Sequence, residues 1–280
     1  MIQKLKTHLK DWLSRTLWAY DADAFIRQLR SIGVQPGTTL MVHSSWQLHS
    51  GFKGKPATLV DALKRAVGEQ GLLVMTSMPY HNMSSADWLA KGKPMNVRRS
   101  PSMMGLVSEV FRRSAGVHRS LSATHPLLAW GKDAEAFLAG HENADKPFGG
   151  TSPFARLVER NTLLLGHDAP FATFTFTHYV EDQLADTLAV PLYEAEPRRG
   201  TVIDYDGIEH QQAVYVLSAE ANRLRREHRL VARLQEEGSL HQARIGNTHL
   251  TWIRAGDLLA GARRLAKDGP HFFDSPTPNN

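Results

Sequence analysis

The chain has 280 residues, 33 Lys and Arg against 28 Asp and Glu for a formal net charge of +5, and no cysteine. This length buries one large core, alone or with a small appendage; 42% hydrophobic and 22% charged residues is a globular balance, not a disordered one. Lack of cysteine excludes disulfides, thiolate nucleophiles and Cys-based zinc sites, and suits a reducing, cytoplasmic compartment. No apolar run approaches the ~20 residues that span a bilayer. A pI near 9.5 favours anionic partners. The basic runs Arg198-Arg199 and Arg223-Leu224-Arg225-Arg226 lack interleaved aromatics, so they read as solvated helix faces and not as a nucleic-acid platform.

Leu5, Leu9, Trp12, Leu13 and Leu17 recur at helical spacing among Lys and Arg. Residues 1–20 therefore predict an amphipathic helix docked on its own protein or on a sister subunit of a homodimer, with a basic interfacial membrane helix as the alternative and no stable insertion. Asp21 to Ile32 predicts a capped helix, and Thr39-Leu40-Met41-Val42 a buried strand ending in His43-Ser44-Ser45. A helix from Thr58 to Val67 and a strand at 72–75 complete a βαβ unit, hence a parallel sheet covered on both faces. Residues 79–100 show no period and read as a long loop. Ser102 is placed to cap a helix running to about Arg113. Leu127–Trp130 and Leu163–Gly166 read as strands; Asp133–Leu138, Ser152–Val158 and Thr175–Leu188 read as helices. After Pro191, Thr201–Tyr205 and Gln212–Val216 alternate around Asp206-Gly207, predicting a hairpin. A charged helix over 219–237, a strand region over 242–253 and a helix over 256–267 precede a loose tail from about 271. The expectation is one α/β domain over 21–270, a three-layer α/β/α arrangement with a largely parallel central sheet and a partly antiparallel portion over 191–255.

Three segments carry polar residues that a purely structural chain does not need. Backbone amides and hydroxyls at His43-Ser44-Ser45, beyond a strand's carboxyl end, can grip a ligand, although, taken alone, a serine-based turn or helix cap is the plainer account. Ser100-Pro101-Ser102-Met103-Met104-Gly105 opens a helix, where free amides attract anions; an ordinary cap is the plainer account. In Thr175-Phe176-Thr177-His178-Tyr179-Val180-Glu181, His178 and Glu181 lie three apart on one helix face, so the carboxylate can orient the imidazole as a general base. Alone, such a pair is usually a surface feature.

Read in order, these segments resemble the aminoglycoside 3-N-acetyltransferase family from about Asp21 to Lys267. Further stretches carry the resemblance: Glu109-Val110-Phe111-Arg112-Arg113, Arg119-Ser120, Thr124-His125-Pro126, His141-Glu142, Pro147-Phe148-Gly149 and Ile245-Gly246-Asn247. It implies direct acetyl transfer from acetyl-CoA, a co-substrate, to an amine, with no metal. It also implies His43, Ser44 and Ser45 along the pantetheine arm, Ser102, Met103, Met104 and Gly105 at the pyrophosphate, His178 as base with Thr175 and Glu181 nearby, and His125 close to the centre. The chain departs from the family pattern at Gly54-Lys55-Pro56, at Ser122-Ala123-Thr124-His125 and at Phe174. Glu227 or Asp204 is expected to support the base from a distance. The implied acceptor is the 3-amino group of an aminoglycoside, with Asp87, Glu142, Asp145, Asp168 and Glu181 as carboxylates to receive a polycation. The pI argues instead for another amino sugar, a nucleotide-linked sugar or an anionic amine. A non-catalytic CoA-binding relative is the remaining alternative, against which the retained His178 and Glu181 speak.

Overall fold

The computed structural model describes residues 2–268 and 271–275. From the N-terminus the chain runs through α1 (Ile2–Arg15), α2 (Ala22–Ser31), β1 (Thr39–Ser44), α3 (Pro56–Val67) and β2 (Leu72–Thr76). It continues through α4 (Ser85–Ala90), β3 (Met95–Asn96), α5 (Leu106–Arg112), β4 (His118–Arg119) and β5 (Leu127–Gly131). Next come α6 (Ala134–Leu138), α7 (Pro153–Glu159), β6 (Leu163–His167) and α8 (Thr177–Asp182). The last part holds β7 (Arg198–Ile203), β8 (Glu209–Val214), α9 (Ala219–Leu224), α10 (Glu227–Glu236), β9 (His241–Ile245), β10 (Thr248–Arg254) and α11 (Ala255–Asp268).

Alternation along the strands sets the layers, because successive side chains leave opposite faces of a sheet. Leu40 and Val42 of β1 and Leu73 and Met75 of β2 pack with α2, α3 and α5. Met41, Leu72 and Val74 pack on the other face with α6, α7 and α11. The result is an α/β/α sandwich around a seven-stranded sheet of order β4-β5-β2-β1-β6-β10-β9. Its centre is parallel, β1 pairing with β2 and β6 in the same direction, and β5 and β10 join antiparallel on the two sides. A separate sheet, β3-β7-β8, contains the antiparallel β7–β8 hairpin and seats a small core of its own around Trp88, Met95 and Val202.

Several expectations change. The long loop over 79–100 contains α4, started by a reciprocal Ser84–Asp87 cap, and β3, whose sheet partner β7 lies far along the chain. The helix expected over 175–188 is only the short α8, with irregular turns after it. The single helix expected over 219–237 breaks at Arg225, which takes an extended conformation (φ −62°, ψ 132°). Ser102 does not cap α5; Gly105 does, at φ 110°. On α1, Leu9 and Trp12 are 55% and 54% exposed, and Leu17 just beyond it 76%, whereas Leu13 is half-buried.

The segment expected to be a loose tail is docked as far as it is described. Phe272 and Phe273 are buried in the main core. The Arg226 amide donates to the Phe272 carbonyl at 2.6 Å and the Asp274 amide to the Leu224 carbonyl at 2.8 Å. The Asp274 carboxylate pairs with Arg226 at 2.6 Å and Arg229 at 2.8 Å. Residues 276–280 of that expectation lie outside the described residues.

Candidate active site

Beyond the carboxyl ends of β1, β2 and β6 lies a cleft of about 920 Å³, where an open parallel sheet places its ligands. His43, Ser44, Ser45, Met103, Met104, Gly105 and Thr175 all line it. His43 is 6% exposed; its Nε2 accepts the Thr175 amide at 3.1 Å, and its ring stacks on Phe174 with centroids 4.8 Å apart. Burial pushes this imidazole down to about 3, so it is a neutral wall at physiological pH. Phe174, a departure from the family pattern, is thus a packing residue. Ser44 Oγ lies 3.2 Å from His167 Nδ1, and the Ser45 amide donates to the His167 carbonyl. A Cβ on Gly105 would come within 3.4 Å of the Ser44 carbonyl, at a φ that side chains avoid. Ser102 does not belong to this wall. Its amide donates to Glu109 Oε2 at 2.7 Å, and its hydroxyl lies 2.8 Å from that of Ser108.

A smaller cleft of about 300 Å³ shares Met78, His81 and Met104 with the first and is lined by Tyr80, His125, His178 and Arg225. His178 Nδ1 lies 2.9 Å from Glu181 Oε2, and that carboxylate is 1% exposed. Arg225 donates to the same oxygen at 2.7 Å and stands 3.2 Å from His178 Nδ1. An ionised carboxylate only accepts, so it holds the proton on Nδ1 and leaves Nε2 as the basic nitrogen. The Phe148 ring sits between His125 and His178, 4.6 and 5.0 Å from their centroids. His125 Nε2 is 3.1 Å from the Tyr80 hydroxyl and its Nδ1 is 2.9 Å from Thr124 Oγ1. Burial, then His178 and His141, hold His125 well below the usual imidazole range.

Of the two distant carboxylates, Glu227 lies where Arg225, Glu181 and His178 all act on it; burial raises its pKa most. Asp204 is elsewhere, in the β7–β8 turn, bonded to His210 at 2.7 Å. The acidic residues expected around the acceptor disperse too. Asp87 caps α4, Asp168 lines the larger cleft, Glu142 lines a separate cavity, Asp145 is exposed, and only Glu181 touches His178.

Sequence reasoning missed Arg225, Tyr80, Phe148 and His81. Arg225 was hidden in a basic run read as a solvated face; its break between α9 and α10 turns it inward. Tyr80 and His81 follow β2 without any period, and Phe148 stood in a stretch that carried the family resemblance without a role at the site. Much of the surplus positive charge gathers away from both clefts, where Arg98, Arg99, Arg112, Arg113 and Arg119 line a cavity of about 550 Å³. There Arg119 donates to the carbonyls of Ser77 and Ser100, and burial, then Arg112, bring it down to about 9. Among the described residues no cluster of three His, Asp or Glu could hold a metal ion, and no helix is long and apolar enough to cross a membrane.

A profile of the aminoglycoside 3-N-acetyltransferase family matches residues 41–267. The chain belongs to this family. This acetyltransferase is 31% identical over 260 residues to aminoglycoside N(3)-acetyltransferase IV of Salmonella sp, covering 90% of this chain and 89% of that one. It is also 31% identical over 175 residues to aminoglycoside N(3)-acetyltransferase VII of Streptomyces paromomycinus, across 57% and 59% of the two chains. Among solved structures it is similar to a histidine-to-alanine mutant of the aminoglycoside acetyltransferase AAC(3)-IVa in complex with a gentamicin, with a TM-score of 0.70, 26% identity, and coverage of 89% and 90%. AAC-IIIb, solved as a binary complex with CoASH, shares the fold at a TM-score of 0.74 and 23% identity, with 92% and 99% covered.

Proposed function

We propose that the enzyme transfers an acetyl group from acetyl-CoA directly to an amine of an amino sugar, with His178 as general base. One observation carries this reading: an imidazole fixed by a buried carboxylate lines a cleft that shares Met78, His81 and Met104 with a second, larger cleft able to hold a long, narrow thioester. Family membership supports acetyl-CoA as donor and points to the 3-amino group of an aminoglycoside as the family's acceptor.

In the larger cleft the pantetheine arm lies along His43, Ser44 and Ser45. Gly105, at a φ of +110° that side chains avoid, leaves the arm free passage beside Ser44, and Met103 and Met104 flank the path towards the pyrophosphate. The acceptor amine lies in the smaller cleft. As its nitrogen attacks the thioester carbonyl carbon, a C–N bond forms and the C–S bond breaks. The amine's proton passes to His178 Nε2, and the departing CoA thiolate takes up a proton. A base positioned in this way contributes roughly 10²–10⁴-fold. Glu181 holds the ring and stabilises the imidazolium, Arg225 fixes Glu181, and Thr175 and His125 shape the two walls beside the reacting atoms.

Release of the CoA thiol, followed with a panel of amines and checked by mass for an added acetyl group, tests the reaction. Tight acetyl-CoA binding without thiol release on any amine would refute it.

A further inference from the structure

Burial isolates one cation that neither cleft uses. Arg119, on the edge strand β4, is 2% exposed. Its terminal nitrogens donate to the carbonyls of Ser100 and Ser77, and its Nε is buried without a hydrogen-bond partner. Carbonyls satisfy N–H groups but carry no net charge. Arg112 repels this guanidinium more than the Glu109 carboxylate attracts it. A buried charge in that state is unfavourable unless an anion reaches it. Arg119 lines two neighbouring cavities that share Arg98, Val117 and Tyr205, one towards α5 and the other towards α6. Carboxylates belong to the α6 side: Glu135, paired with His118 at 3.2 Å, and Glu142.

Four more guanidinium groups frame the α5 side. Arg98 donates from Nε to the Tyr205 carbonyl at 2.9 Å and stacks over the Tyr205 ring at 5.2 Å. Arg112 donates to the Arg98 carbonyl at 2.7 Å. Arg112 and Arg113 share the single carboxylate of Glu109, so that trio keeps one positive charge in surplus. Arg99 is exposed on the rim. Like charges gathered in this way repel one another, yet backbone carbonyls from separate segments hold three of the side chains in place. Planar guanidinium forks fixed before a ligand arrives match the paired oxygens of a phosphate.

We propose that the cavity framed by Arg98, Arg99, Arg112, Arg113 and Arg119 is a binding site for a phosphate or pyrophosphate group. It shares no lining residue with either of the two clefts, so it is separate from the donor and acceptor sites. The bound anion supplies the charge that Arg119 lacks, and Arg99 approaches it from the rim.

The test is isothermal titration of inorganic pyrophosphate into the full chain with saturating CoA present, at constant ionic strength. Pyrophosphate is expected to bind once per chain with a Kd at or below ~1 mM. Arg99→Glu, an exposed substitution, should weaken it at least ~10-fold by turning an attraction into a repulsion. Arg119→Lys keeps the charge and loses the fork, and should weaken it comparably. If that variant fails to fold, Arg99→Glu still decides. ADP in place of pyrophosphate separates the sources. Tighter binding assigns the phosphates to a nucleotide and weaker binding to an inorganic anion, and the site stands in either case. Pyrophosphate that binds only when CoA is absent belongs to the CoA site and overturns the proposal. An unchanged Kd in Arg99→Glu overturns it too.

Discussion

Glu181 and Arg225, forty-four positions apart, meet through Oε2 and a guanidinium nitrogen at 2.7 Å, and the same oxygen lies 2.9 Å from His178 Nδ1. One carboxylate oxygen, almost fully buried, therefore orients the His178 imidazole and is itself fixed by a cation. His178→Ala should lower kcat by at least ~10² while the Kd for acetyl-CoA stays within about twofold, since the base acts on the amine and not on the donor. Turnover close to that of the unmodified enzyme would remove His178 from the mechanism. Glu181→Gln should cost less in kcat, because the imidazole remains and loses only its orientation and the stabilisation of its cation.

The Arg225–Glu181 contact predicts a rescue. Arg225→Ala leaves a buried carboxylate without its cation, a loss of about 2–4 kcal/mol when one partner is partly exposed. Adding Glu181→Gln removes the stranded charge, so the double variant should unfold at higher urea than Arg225→Ala alone. Additive losses in the double variant would mean that the two residues do not act as a pair.

Gly105 predicts an effect confined to the donor. Its φ of 110° lies where a side chain costs about 1–2 kcal/mol, and a large group there would fill the cleft beside Ser44. Gly105→Trp should raise the acetyl-CoA Kd at least ~10-fold in calorimetry; unchanged affinity would place the thioester elsewhere.

Buried histidines predict the acid limb of stability. Burial lowers His43 to about 3 and His141 to about 4 in the folded protein, against about 6.5 when unfolded. Between these values the unfolded chain binds more protons, so stability is complete above about pH 6.5 and declines as pH falls towards 4. Tm measured across that window should fall, and the slope should be shallower in His141→Gln. A flat profile would show that these rings are hydrated.

Strands and long helices were legible because burial writes itself into period: Leu40–Val42, Leu72–Met75 and Leu163–Leu165 are continuous apolar runs, and α11 has a regular stripe. What the sequence left unclear has non-local causes. Six-residue α4 rests on one cap and on Trp88 packing under a distant hairpin. β3 needs β7, more than one hundred positions away. Within the site, His178 and Glu181 were readable because one turn of helix joins them, and the His43–Gly105 set because strand ends gather ligands. Arg225 was not readable, since only the break after α9 and the return of the C-terminal segment direct it inward.

That returning segment is testable too. Phe273 pairs across to Arg225 through the backbone, with its ring 6.0 Å from the guanidinium carbon. Phe273→Ala should cost about 3–5 kcal/mol as a buried aromatic truncation and should also lower kcat, by loosening Arg225. Loss of stability with kcat intact would limit the segment to packing.

The clasp on Arg225 also has a consequence for how the enzyme comes into being. The residues that hold the base's support in place, Phe272 to Asp274, are made almost fifty codons after Arg225. At about 5–20 residues per second, that leaves an interval of a few seconds in which β1, β2, β5 and β6 are already made while His178 still lacks its anchored partner.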